Sequence, residues 1–151
     1  MIRSLVRRLP GLLRRLVFPP REGVSVMLAN GAGELLLVRH SYGRSDLYML
    51  PGGGVDRGES PAQAARRELA EETGCAAENL KLLARYAHRH RGRPQQVHLF
   101  AATTGDIPEP DGLELVEARF FALDSLPVST SAATRRRIEE HEGGAPVARR
   151  W

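Results

Sequence analysis

The spacing of apolar and polar residues changes several times along the chain, and each change predicts an element. Residues 24–29 (VSVMLA) and 35–39 (LLLVR) are short, nearly continuous apolar runs. They flank residues 30–34 (NGAGE), whose Asn-Gly pair carries hairpin chemistry, so two buried strands are predicted. Residues 47–50 (LYML) predict a third, short strand running into PGGG. From Ser60 the period lengthens to that of a helix. Ser60 suits the N-cap, Pro61 the first helical position, and Gly74 the stop after Thr73. Residues 80–90 and 95–104 flank the turn RGRP and predict a second hairpin. The polar loop TGDIPEPDG, a strand over residues 115–123 and a final helix over 130–142 follow. Residues 143–151 (GGAPVARRW) show no periodicity and are expected to fray. Strands combined with a central and a C-terminal helix predict an α/β or α+β sandwich.

The first 20 residues have a character of their own. Ile2, Leu5, Val6, Leu9, Leu12, Leu13 and Leu16 follow helical spacing, and arginines fill the other face. Pro10-Gly11 would kink or split such a helix, and Pro19-Pro20 separates it from the body. No uncharged run is long enough to span a bilayer, and the apolar run LPGLL is too short for a signal-peptide core. Two readings stay open for this amphipathic N-terminal helix. It packs on the domain or on a second copy in a homodimer, or it lies on an anionic membrane surface or directs the chain to an organelle.

Composition narrows the class. At 151 residues the chain is the size of one domain, large enough to bury a core without disulfides. Three parts are expected: an extension over 1–20, a domain over 21–142 and a tail over 143–151. The net charge of +4 is misleading, because residues 1–21 hold six arginines and no acid, leaving −2 for the rest. The basic balance is therefore weak evidence for nucleic-acid binding by the folded body. Cys75 is the one cysteine, which excludes a disulfide framework and a CxxC metal site and fits a reducing, cytoplasmic setting.

The chemistry concentrates in GGGVDRGESPAQAARRELAEETGC, residues 52–75. On a helix Glu68, Glu71 and Glu72 share a face, where like charges repel. A solvated face is the plain explanation for such a triplet, but the wider spacing points elsewhere. Gly53, Glu59, Arg67, Glu68, Glu71, Glu72 and Gly74 fit G-x5-E-x7-R-E-U-x-E-E-x-G-U, with U apolar. A chance match at those positions is about 10⁻⁸ per starting point. The chain thus resembles a Nudix hydrolase, most specifically over residues 52–75 and in strand order over about 22–142. Cys75 stands where an aliphatic residue is usual, and it packs as a small hydrophobe.

The resemblance implies an α/β/α sandwich with a mixed sheet. It also implies hydrolysis of a diphosphate linkage in a nucleoside triphosphate or diphosphate derivative, by water attack on phosphorus with Mg²⁺ or Mn²⁺. By position in the motif, Glu71, Glu72, Glu68 and the Gly52 carbonyl would hold metal. Glu68 would otherwise serve as the base, and Arg67 would orient a carboxylate. Gly53 and Gly54 would line the diphosphate, while Glu59 and Gly74 would shape the motif. Glu114 is the first choice for a further carboxylate from outside the box, with Glu117 the alternative. Arg39 and His40 are candidates for phosphate binding. Tyr48 is expected to pack rather than stack on a base. His88, His90 and His98 could face one another across the second hairpin as a zinc site, although no fixed ligand spacing supports it. The partner expected is a small nucleotide. Two rivals remain: an RNA 5′-pyrophosphohydrolase guided by arginine-rich segments, and a non-catalytic nucleotide sensor, against which the complete glutamate set argues.

Overall fold

A computed structural model describes residues 21–151. The extension and its predicted helix lie outside the described residues. Six strands form one sheet: β1 (Glu22–Ala29), β2 (Leu35–His40), β3 (Gly52–Gly54), β4 (Glu78–His90), β5 (Arg93–Thr103) and β6 (Leu115–Phe121). Two helices, α1 (Pro61–Thr73) and α2 (Ala132–His141), complete the described fold. The strand order is β4-β5-β1-β2-β6, with β3 also paired to β1. Only the β1–β5 pairing is parallel among the described ladders, so the sheet is mixed.

The near-continuous apolar runs reflect a sheet covered on both faces. Val24, Val26 and Leu28 of β1 join Leu36 and Val38 of β2 against Ala64, Ala65 and Leu69 of α1. Met27, Leu35, Leu37 and Leu99 point the other way, into a second core with Tyr86 and Ile138 of α2. Alternate residues of one strand therefore feed two cores, giving the expected α/β/α layering among the described residues.

Several local expectations change. Residues 30–34 form a wider loop than a two-residue Asn-Gly turn, because the Asn30 side-chain oxygen accepts from the backbone N–H of both Ala32 and Glu34, each at 3.0 Å. Residues 47–50 do not form a strand; they make only single bridges, Met49 to Val38 and Tyr48 to Thr130. The third strand is the glycine triplet itself. It lies so close to β1 that a Cβ on residue 52 would stand 2.1 Å from the Val24 carbonyl oxygen, so no strand-forming side chain fits there. The second hairpin turns through Arg91 (φ 51°) and Gly92 (φ 78°), both left-handed, as a tight two-residue connection requires.

Residues 143–151 do not fray. Ala87 N–H donates to the Arg149 carbonyl and Trp151 N–H to the Ala87 carbonyl, which lays the tail along the outer edge of β4. The cause is a buried charge. Arg137 is fully buried, with its guanidinium 4.1 Å from the Tyr86 ring centre and 5.1 Å from that of Trp151. It donates to Glu140 at 2.9 Å and to the Arg150 carbonyl at 3.3 Å, while Tyr86 donates its hydroxyl to Glu140 at 2.8 Å. Burial, then the hydrogen bond to Glu140, pushes the Tyr86 hydroxyl well above its ordinary pKa. Burying a guanidinium is costly unless it is paired and hydrogen-bonded; Glu140 and the tail carbonyl meet its two Nη groups, while Nε has no hydrogen-bond partner among the described residues.

Trp151→Ala is expected to cost about 2 kcal/mol, less than the ~3–5 kcal/mol of truncating a fully buried aromatic residue because the ring is only partly buried. In thermal unfolding followed by circular dichroism, that lowers Tm by roughly 4–8 °C for a chain of this size. An unchanged Tm would show that the tail does not close the Arg137 cage.

Candidate functional site

The site is assembled where β3 leaves the sheet and α1 begins. Val26 N–H donates to the Pro51 carbonyl at 2.9 Å, and Gly52, Gly53 and Gly54 pair with Ser25, Val24 and Gly23 of β1. Ser60 then caps α1 reciprocally with Gln63: each side chain accepts from the other's backbone N–H, at 3.1 and 2.9 Å. Gly74 ends the helix in a left-handed conformation (φ 71°), its N–H bonded to the Ala70 carbonyl. With Ala64, Ala65 and Leu69 packed on the sheet, Glu68 and Glu72 fall one turn apart on the buried side, 3% and 2% exposed. Glu71 points outward, with about half of its side chain exposed.

Arg67 ties these parts together. Its Nε and Nη2 grip the Glu59 carboxylate at 2.8 and 2.9 Å, and Nη2 also donates to the Gly54 carbonyl at 2.9 Å. Its Nη1 reaches Glu68 at 3.0 Å and Glu71 at 3.2 Å. Burial alone would weaken the charge, but the hydrogen bonds to Glu59 and Glu68 and the nearby carboxylates raise the Arg67 pKa instead. Glu59 also accepts from Asp56 N–H at 3.0 Å, so it braces the loop.

Glu114 is buried on the approach to β6. The positioning residue that sequence reasoning missed is Asp111. One of its carboxylate oxygens accepts from the N–H of Leu113, Glu114 and Leu115, at 3.0, 2.9 and 2.9 Å. Its own N–H donates to the Glu72 carbonyl, and the N–H of Glu109 to that of Thr73. The segment carrying Glu114 is thus pinned to the last turn of α1. The signal was present in PDG, since an Asp before Gly favours such local captures, but it read only as a loop.

Other candidates are placed elsewhere. Arg39 follows Leu35 and Leu37 onto the α2 side of β2, where its Nε donates to Glu117 at 2.9 Å and its Nη1 to the Ser45 carbonyl. The structure does not gather Arg39 or Glu117 with the glutamate helix. The Tyr48 hydroxyl, and then Arg39, hold the Glu117 carboxyl below its usual range, which makes it a weak base. Tyr48 packs edge-on against Phe121 with ring centres 5.2 Å apart, as expected. His40 is buried beside Leu115, its ring centre 5.2 Å from that of Tyr42. The three histidines do not form a zinc site. His98 is bound to Glu22 at 2.8 Å, while His88 and His90 stand opposite Gln95 and Arg93. Cys75 is fully buried, and that burial raises its thiol pKa, in keeping with a packing role.

No group of three or more His, Cys, Asp or Glu side chains is preassembled to hold a metal among the described residues. The donors on offer are the Glu68 and Glu72 carboxylates, the outward Glu71 and the Gly52 carbonyl. All are hard oxygens, and two of the carboxylates are buried one turn apart. That set fits a divalent cation which keeps water and substrate phosphate in its shell better than it fits a closed protein cage.

The sequence signature of the NUDIX domain family matches residues 19–141. The chain belongs to this family. It is 33% identical over 126 residues to a Bacillus subtilis protein named for 8-oxo-dGTP diphosphatase activity, covering 82% of this chain and 81% of that one. An RNA pyrophosphohydrolase of Bartonella bacilliformis is 44% identical over 69 residues, 41% of each chain. The chain thus spans most of the first relative and less than half of the second. The crystal structure of a MutT NUDIX hydrolase from Burkholderia pseudomallei superposes with a TM-score of 0.72 at 29% identity, covering 81% of this chain and 98% of that one. Nudix hydrolases act on pyrophosphate bonds and generally use divalent metal ions.

Arg67→Ala leaves Glu59 and buried Glu68 without their shared guanidinium and is expected to cost about 3–5 kcal/mol. Glu71→Ala, at an exposed position, is expected to stay within about 0.5 kcal/mol. Urea unfolding of the two variants checks the contrast. Equal effects would mean that Arg67 is not the joint of the site.

Proposed function

We propose that this Nudix hydrolase cleaves the 5′-polyphosphate of a nucleotide by metal-assisted attack of water on phosphorus. The observation that carries the reading is the pair of buried carboxylates, Glu68 and Glu72, with Glu68 tied through Arg67 to the Gly54 carbonyl of the glycine strand. Glu68, Glu72, Glu71 and the Gly52 carbonyl would hold Mg²⁺ or Mn²⁺. When bound, such an ion neutralises the diphosphate and lowers the pKa of water at the site.

The protein's own residues do the rest. Gly53 and Gly54 leave the backbone bare, so a diphosphate can approach without meeting a Cβ. Arg67 holds the Glu68 carboxylate in place through its Nη1 hydrogen bond at 3.0 Å. Glu68 or Glu114 takes the proton of the attacking water, and Glu114 suits the role because it is buried and anchored through Asp111. Glu117 is set aside, since its carboxyl is already committed to Arg39. Of the two phosphate candidates, Arg39 is committed to Glu117 and His40 is kept.

The names of the relatives bear on substrate. A nucleoside triphosphate and an RNA 5′ end share one chemical group, the 5′-polyphosphate, and that group is the substrate class proposed here. The buried cysteine suits a reducing compartment such as the cytoplasm.

Glu72→Gln tests the assignment with two readouts. Turnover on a nucleoside triphosphate should fall by on the order of 10²–10³ or more. The Tm increase that Mg²⁺ gives the parent protein over its value in EDTA should vanish in the variant. A variant that keeps its activity and its Mg²⁺ response would remove Glu72 from the site.

A further inference from the structure

We propose that the β4–β5 hairpin is an arm that binds single-stranded RNA and leads its 5′ end to the glycine strand. This inference rests on the hydrolase reading above and narrows its substrate class. The first observation is charge. Between Glu78 and Asp106 the chain holds no acidic residue, where its own acid content would place roughly three. The same stretch carries Lys81, Arg85, Arg89, Arg91 and Arg93 together with His88 and His90. The four arginines are exposed, and none makes an ion pair among the described residues. The tail laid along β4 adds exposed Arg149 and Arg150 to this edge instead of neutralising it.

The second observation is position. β5 runs beside β1 with Gln96 opposite Glu22 and Val97 opposite Gly23, while Gly54 and Gly53 pair with Gly23 and Val24 on the other side of β1. Residues 88–95 therefore overhang the end of β1 that carries the glycine strand. The Gln95 amide nitrogen and the Gly53 carbonyl oxygen both come within contact distance of one point above Gly23, 3.8 and 3.5 Å from where its Cβ would be. From there the arm extends about 13 Å to the turn, at ~3.3 Å per residue.

Basic residues on an edge strand often serve only to keep sheets apart, but here the tail already covers part of that edge. The arginines continue past it, to a turn where Arg91 adopts a left-handed conformation that Asn or Gly takes more easily. Guanidinium groups bind phosphate through paired donors, and both they and imidazole rings stack on unpaired bases without regard to sequence. A membrane is a poorer fit, because the tip HRHRGRPQ offers no large apolar side chain to insert.

The test compares the full chain with the triple variant Arg89→Gln, Arg91→Asn, Arg93→Gln, in which Asn preserves the turn. The probes are an unstructured 20-nucleotide RNA with a 5′-triphosphate and a 3′ fluorophore, free nucleoside triphosphate, and phosphatidylserine vesicles. Anisotropy in EDTA across a salt series should show RNA affinity falling at least tenfold in the variant. The log–log salt slope should shrink by about 2, at ~0.7 per lost phosphate contact. With Mg²⁺, KM for RNA should rise at least tenfold, while kcat/KM for the free nucleotide stays within twofold. RNA affinity and salt slope that are equal in the two proteins, or parallel losses on RNA and nucleotide, would overturn the arm and leave the hydrolase reading intact. RNA bound through these arginines by a protein that hydrolyses no nucleotide would uphold the arm and remove that reading. Vesicle binding lost in the variant with RNA binding unchanged would assign the hairpin to a membrane and overturn the proposal.

Discussion

The Arg67 guanidinium is the joint on which the site depends. One planar group holds the Glu59 carboxylate in a two-point grip, the Gly54 carbonyl, and one oxygen each of Glu68 and Glu71. A lysine could not make that set, because an ammonium lacks the fixed fork that meets a carboxylate at two points. The grip explains the sequence spacing in physical terms. The residues between Gly53 and Glu59 are what the chain needs to leave the sheet, turn and bring a carboxylate back over its own path. The seven between Glu59 and Arg67 are what it needs to cap a helix at Ser60 and climb nearly two turns. Changing either length would pull Glu59 out of reach of Arg67 and release the glycine strand from the helix.

The two faces of the sheet divide the work. On the α1 face, charge is concentrated: two glutamates are buried beside one arginine, an arrangement that burial alone would not favour. On the α2 face, each buried charge is matched within the fold, Arg137 by Glu140, the Tyr86 and Trp151 rings and the tail. Arg39, Glu117 and Tyr48 follow the same matched pattern at the edge of that face. The contrast separates structure from chemistry. A buried cation set against a carboxylate and two rings holds the fold, whereas two carboxylates buried one turn apart offer hard oxygens to a divalent cation.

Much of this was legible in the sequence because it depends on local rules. The cap at Ser60 and the stop at Gly74 follow from helix geometry and are found as expected, whereas of the three glutamates expected on one face only Glu68 and Glu72 are buried together and Glu71 turns outward. The strand misread at residues 47–50 shows the limit. LYML has strand-forming side chains, yet the ladder forms three residues later, where the absence of side chains lets two backbones approach. The tail misled in the same way. GGAPVARRW looks frayed because nothing in its own pattern orders it; its order comes from Arg137, which is itself buried by contacts distant in sequence. Asp111 was overlooked because its role needs the helix end to which its backbone is bonded. Local signals survive reading residue by residue, and tertiary partners do not.

Charge illustrates the same point at larger scale. The net −2 outside the first 21 residues argued against nucleic-acid contact by the body, yet that figure averages two separate populations. The acids gather in residues 56–78 and 106–117, around the glutamate helix and the loop that pins Glu114, and the stretch between them has none. Folding sets these populations side by side: β1 carries the glycine strand on one flank and the basic hairpin on the other. A polyanion approaching the glutamates is repelled unless cations stand near its path, and the hairpin supplies exposed ones across β1 from the glycine strand. The electrostatic asymmetry of this protein is therefore a property of its strand order, since a sheet that placed β5 away from β1 would have the same composition without it.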